Sequence, residues 1–267
     1  MKKYFAILFV ALSFLFAQSE QPYPPINLIS IPTAGTMPKG FFAFESAFMK
    51  DGGILPKFSI GITDNFTLGI SFGVSNFIGD GDMKKNKSYP EVQIKYRVFD
   101  ETDKMPAMLI GIDTQGRGLF FEEYLNQNLS VSLNRYEQKS YGAYFVISRN
   151  WQALGNFGFH FGLNKNLTET DDGDDDINIF VGFDKELNKS FSIYGEYSFA
   201  RDDDQYSDDN PLEDIIIRKG NGYLNAGLRW SATNNIMLEI NANDISKNNG
   251  ISSSINRELK VIYFEQF

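Results

Sequence analysis

The sequence predicts an all-β fold, a transmembrane antiparallel up-and-down barrel of about twelve strands, on three observations. The first is period-two alternation. Over residues 66–75, Phe66, Leu68, Ile70, Phe72 and Val74 fall on one face, with Thr67, Gly69, Ser71, Gly73 and Ser75 on the other. A helix would scatter these two groups around its axis, whereas a strand sorts them. The second is strand length, since most alternating segments run near the roughly 9–11 residues that cross a bilayer at a tilt. The third is that short and long connectors alternate along the chain, as in outer-membrane barrels with short periplasmic turns and long outer loops.

The first residues are set apart from the barrel. Met1, Lys2 and Lys3 are followed by an apolar run from Tyr4 to Phe16, broken only by Ser13, and then by Ala17-Gln18-Ser19. That order describes a secretory signal peptide over residues 1–19, with an apolar run too short to span as a helix. Pro22, Pro24 and Pro25 stop any helical continuation. Residues 20–39 are expected as a periplasmic N-terminal segment and residues 40–267 as the barrel.

Strands are expected over 40–50, 53–62, 66–77, 89–99, 105–115, 138–151, 156–166, 176–186, 190–201, 219–231, 236–246 and 256–267. Short turns fall at Thr63-Asp64-Asn65, Asp100 to Lys104, Gln152 to Gly155, Leu187 to Lys189 and Ala232 to Asn235. Long connectors fall at 78–88, 116–137, 167–175, 202–218 and 247–255; only Asp51-Gly52-Gly53 is short where an outer loop is expected. This arrangement puts both termini on the periplasmic side. Residues 116–137 are compatible with strands extended above the membrane, an inward constriction or a short helix. The chain closes on Val261, Tyr263 and Phe267, a terminal aromatic strand of the kind the barrel-insertion machinery reads, although Glu265 shares that face.

Composition narrows the function. With no cysteine, the chain has no lipoprotein anchor, disulfide or cysteine metal site. A net charge of −9 argues against a nucleic-acid partner, which would want a basic face. Twenty-five Phe and 13 Tyr need an apolar surface to occupy; lipid is one answer and a large soluble β-sandwich core is the other.

Strand parity turns a set of charges inward: Glu45, Glu91, Asp113, Glu196 and Glu239 with Lys57, Lys95, Arg97, Arg149, Arg229 and Lys260. These mixed signs suggest pairing across a lumen that is either closed by the pairs or left as a narrow polar channel. The only histidine, His160, shares the polar face, which is the wrong face for a lipid-acting barrel enzyme. No phosphate loop, zinc spacing or serine elbow is present, so neither a catalytic constellation nor a cofactor is expected. Asp171, Asp172, Asp174, Asp175 and Asp176 are weak candidates for a divalent cation; they lack the spacing and closing glutamate of a calcium loop, and a solvated, repulsive loop is the simpler expectation. Asp202, Asp203, Asp204, Asp208 and Asp209 make a second acidic connector.

Residues Leu28-Ile29-Ser30-Ile31-Pro32-Thr33-Ala34-Gly35-Thr36-Met37-Pro38-Lys39-Gly40 lead into the first strand. Gly52-Gly53-Ile54-Leu55, Ser59-Ile60-Gly61-Ile62-Thr63-Asp64, Leu68-Gly69-Ile70-Ser71, Gln93-Ile94-Lys95-Tyr96-Arg97, Pro106-Ala107 and Gly111-Ile112-Asp113-Thr114-Gln115-Gly116 follow in order. Over residues 28–116 this resembles the YjbH-like outer-membrane barrels of Gram-negative bacteria. The resemblance implies an outer-membrane location and a link to exopolysaccharide export, with no catalytic residues to carry across. The expectation is therefore a non-enzymatic outer-membrane barrel, either a narrow polar pore or an accessory to exopolysaccharide export, meeting surface polysaccharide or small polar solutes. A lipid-acting outer-membrane enzyme and a soluble secreted β-sandwich binding module are the alternatives.

Overall fold

A computed structural model describes residues 25–126, 129–152, 155–203, 220–248 and 255–267. The expected signal peptide therefore lies outside the described residues. In chain order the first strands are β1 (Phe41–Phe48), β2 (Ile54–Thr63), β3 (Phe66–Ser71), β4 (Val74–Ser75), β5 (Lys84–Lys85), β6 (Glu91–Phe99), β7 (Ala107–Asp113) and β8 (Arg117–Asn126). They are followed by β9 (Leu129–Gln138), β10 (Gly142–Gln152), β11 (Asn156–Lys165), β12 (Asn178–Glu186), β13 (Phe191–Ser198), β14 (Tyr223–Ser231), β15 (Ile236–Asn243) and β16 (Asn256–Gln266).

Among the described residues, twelve of these strands form one antiparallel ring in the order β1-β2-β3-β6-β7-β10-β11-β12-β13-β14-β15-β16. The ring closes because β1 pairs with β2 on one side and β16 on the other, Phe41 facing Gln266 and Phe48 facing Leu259. Closure leaves no open edge, the condition for a sheet to sit in hydrocarbon.

The two faces of the ring are inverted relative to a soluble protein. Every barrel strand exposes a large apolar side chain outward, among them Phe44, Phe58, Ile70, Val92, Ile110, Trp151, Phe159, Phe183, Ile193, Leu228, Ile240 and Leu259. Soluble monomers rarely expose more than a few hundred Å² of contiguous apolar surface. A continuous apolar wall around a closed barrel is the surface of a membrane-spanning protein. Aromatic pairs gather near one end of it, including Phe191 stacked on Trp230 at 6.1 Å and Trp151 beside Phe157. Such girdles mark the boundary between hydrocarbon and headgroups.

The five short turns and the start of β1 and end of β16 share this end, here the turn end. The strand ends that lead into the long connectors lie at the other, the loop end. Several segments differ from expectation. The strand expected over 66–77 stops at Ser71, and Val74-Ser75 bend away to pair with Ile54 and with β5. The strand expected from 138 begins at Gly142, whose φ of 62° interrupts an extended path. Among the described residues of 116–137 there is neither a helix nor an extension of the flanking barrel strands; β8 and β9 there form a separate hairpin.

Candidate functional site

The barrel interior is lined by polar side chains that period-two alternation turns inward. Arg229, Glu239 and Lys260 lie directly across from one another on β14, β15 and β16. Glu239 accepts from the Arg229 guanidinium at 2.7 Å and lies 3.1 Å from the Lys260 ammonium. Glu45 and Lys57 are likewise register partners on β1 and β2. Glu91 meets Lys87 at 2.6 Å and accepts from Tyr136 Oη and Thr114 Oγ1. Asp113 accepts from Gln93 and from the Gln115 N–H, and Arg97 pairs with Asp100 beside the first turn. His160 is fully buried between Ser148 Oγ at Nδ1 and Asp184 Oδ1 at Nε2, 2.7 and 2.8 Å away.

Arg149 is a correction to the inward set. Ser148 faces His160 across the ladder, so Arg149 shares the outward parity of Ile147 and its partner Phe159. It lies close to the turn end of β10 and binds the carbonyls of Thr102, Asp103 and Met105. An extended arginine near a turn reaches polar groups without crossing the wall, which a pattern of alternation does not anticipate.

The segment expected outside the barrel also needs correction. Residues 25–37 enter from the turn end and fold back as a tight hairpin inside the lumen. Leu28 N–H donates to Ile31 O, Thr33 N–H donates to Ile26 O, and Asn27 bridges Pro32. Its backbone binds the wall: Ile29, Ser30 and Ile31 N–H donate to Glu196, Ala34 N–H to Ser148 Oγ and Met37 N–H to Thr67 Oγ1. Lys95 donates to Ile26 O, Arg229 to Asn27 O and Arg117 to Ile29 O. Leu28 and Ile31 rest over Gly182, where an added Cβ would lie 2.5 Å from Ile31 Cδ1.

The loop end is capped by the base of the β8–β9 hairpin. Arg135, with no exposure to solvent, binds Asp172 at 2.7 Å and Asp203 at 2.6 Å. Lys139 binds Asp172 at 2.8 Å and the carbonyls of Asp174 and Asp202. Glu169 accepts from the N–H groups of Tyr136 and Ser140. The acidic connectors are thus not simply solvated. Asp172, Asp174, Asp202 and Asp203 are buried against the base of a hairpin that lies 33 to 68 residues away in sequence. Asp171 instead accepts from Asn134, Asp175 pairs with Lys165, and Asp176 is exposed. Among the described residues no group of His, Asp and Glu is arranged to hold a metal ion. Asp204, Asp208 and Asp209 lie outside them.

Arg117, Arg135, Lys139, Asp184 and Glu258 join the interior without having been singled out by sequence. Asp184 and Glu258 did carry the signal, since both take the polar parity of their strands. The three cations sit in or beside a connector, where no parity applies.

Burial pushes the Asp202 carboxyl up to about 6, against the pull of the Lys139 ammonium. A carboxyl raised on folding contributes stability below its unfolded value near 4, and that contribution is lost as pH rises through 6. Asp202→Asn should therefore stabilise the protein by about 3 kcal/mol at pH 8 and leave it nearly unchanged at pH 4. Urea unfolding at the two pH values, followed by gel mobility, measures this; an equal effect at both would refute it.

Three cavities follow one another along the interior beside the hairpin. A vestibule of about 400 Å³ opens at the turn end between Arg97, Glu239, Met237 and Phe264. It shares Asn27, Glu45 and Lys260 with a middle cavity of about 70 Å³. That one shares Arg117 and Gln138 with a third, of about 40 Å³, beneath the loop end.

No protein-family model and no curated protein matches this chain. Among solved structures it is similar to the KdgM porin at 10% identity and a TM-score of 0.49, over 84% of this chain and 98% of that one. It is also similar to the NanC porin at 12% identity and a TM-score of 0.45, over 84% and 99%. OmpT, an outer membrane protein of Vibrio cholerae, follows at 9% identity and a TM-score of 0.36, over 84% and 96%. The architecture rests on the strand pairing itself. With its ring closed, its outer wall apolar and its short turns gathered at one end, the chain is an outer-membrane β-barrel protein with a polar interior.

Proposed function

We propose that this protein is a narrow, non-enzymatic channel of the outer membrane, passing water and small polar solutes, with the turn end and both chain termini facing the periplasm. The run of three cavities that share lining residues carries this reading. Its walls are charged groups of both signs, Glu45, Lys57, Asp113, Arg117 and Lys260 among them, so the path favours polar solutes without strong preference for either sign. The middle and third cavities hold only a few water molecules, which limits passage in this conformation to water and the smallest polar solutes.

A second reading, an accessory to exopolysaccharide export, is favoured by the likeness of residues 28–116 to YjbH-like barrels and by a lumen largely filled by its own chain. Planar-bilayer recording separates the two. The channel reading expects small, weakly selective steps from purified wild-type protein. Silence across a wide voltage range, from wild type and from a folded variant lacking residues 26–36, would overturn it in favour of the accessory role.

A further inference from the structure

We propose that residues 25–37 are a withdrawable plug and that Glu196 is the latch that holds it, so that larger polar solutes pass only when the hairpin leaves the lumen. The proposal rests on the channel reading and adds its regulation. Both ends of the hairpin lie at the turn end, where Pro25, Thr36 and Pro38 line the vestibule, and its tip is the deepest part. Its backbone–backbone hydrogen bonds close within the hairpin, and it joins no barrel strand. It can therefore slide out toward the turn end without breaking the ring.

The polar contacts that hold it are of a kind water can replace. They are mostly single hydrogen bonds between its backbone and wall side chains, and the entering water would hydrate Lys95 and Glu196 once they are released. Its apolar side chains Leu28, Ile29, Ile31 and Ala34 form one buried cluster with Leu109, Val146 and Phe180 of the wall, which also favours the inserted state, although Gly182 offers no side chain to interlock with Leu28 and Ile31. One contact stands apart. The Glu196 carboxylate, 3% exposed, receives three consecutive N–H groups from Ile29, Ser30 and Ile31, the Ser30 hydroxyl at 2.5 Å and Asn225 at 2.7 Å. Convergent N–H groups form a nest that prefers an anion, so the negative charge of Glu196 adds a specific preference for the inserted state.

The chain has no cysteine, so engineered thiols report cleanly. The side chain at Ile31→Cys is fully buried while the plug is in and should react with a maleimide only on withdrawal. Adding Glu196→Gln should speed that labelling by about tenfold, because taking the charge out of these hydrogen bonds shifts the two-state balance by that order. In bilayers, the Ile31→Cys/Gly182→Cys pair should show only small steps when oxidised and gain larger ones when reduced. Unchanged labelling with Glu196→Gln, or step sizes independent of the redox state of the pair, would overturn the plug. Accelerated labelling without any conductance, even from a folded variant lacking residues 26–36, would keep a mobile hairpin but overturn the channel reading on which its gating role rests. If Glu196→Gln loses the heat-dependent gel shift of a folded barrel, the redox pair still decides.

Discussion

Glu239→Ala is expected to destabilise the barrel by about 3 kcal/mol, read as a lower midpoint for loss of the heat-dependent gel shift. Glu239 is fully buried and is the common partner of Arg229 and Lys260, at 2.7 and 3.1 Å. Removing it leaves two cations on either side of the vacated strand position without the carboxylate they share, although Arg229 keeps the Asn27 carbonyl. The loss sits at the low end for a broken buried ion pair because the vestibule beside it admits water. Replacing Arg229, Glu239 and Lys260 together by Met, Leu and Met should recover most of the stability, since no unpaired charge then remains. An unchanged midpoint in Glu239→Ala would show that the interior is hydrated enough to make the ion row energetically neutral.

Arg135→Ala should open the loop end while leaving the barrel folded. The guanidinium holds two connectors at once, through Asp172 and Asp203, and also donates to the carbonyls of Tyr136 and Glu137. Its loss removes the guanidinium from two buried carboxylates, which keep Lys139 and the Tyr223 hydroxyl among their partners, a cost of about 3–5 kcal/mol borne locally. Backbone hydrogen exchange over residues 133–141 and 166–174 should accelerate by at least about a hundredfold, with exchange in β11 to β16 unchanged. Arg135→Lys keeps the charge without the planar fork and should fall between the two. Protection equal to wild type in Arg135→Ala would mean that the Glu169 contacts alone hold the cap.

The ring of twelve strands is legible because each strand carries its own two-residue period, and no other part of the chain is needed to read it. Phe66 to Ser71 is enough to say which side chains face lipid and which face the lumen. The interior charges are legible for the same reason, and Arg149 shows where that reasoning ends. It lies close to a turn, and the alternation around Ser148 and His160 sets it outward, where its length lets it fold back onto the turn carbonyls. The acidic connectors look solvated in the sequence because Asp172 and Asp203 meet Arg135 only across 37 and 68 residues of chain. A run of like charges looks repulsive until its partner is known.

The same distinction separates what the sequence alone determined from what required the folded molecule. Alternation, connector length and composition determined a closed, membrane-spanning β-barrel with a polar inside, because lipid and the two-residue period of a strand act on neighbouring residues. Only the tertiary structure decided that residues 25–37 occupy the lumen and that the β8–β9 hairpin caps it. Ile29 meets Glu196 across 167 residues, and Arg117 meets Glu258 across 141. A lumen surface exists only once twelve strands have closed around it, so what fills that lumen cannot be read from any one of them.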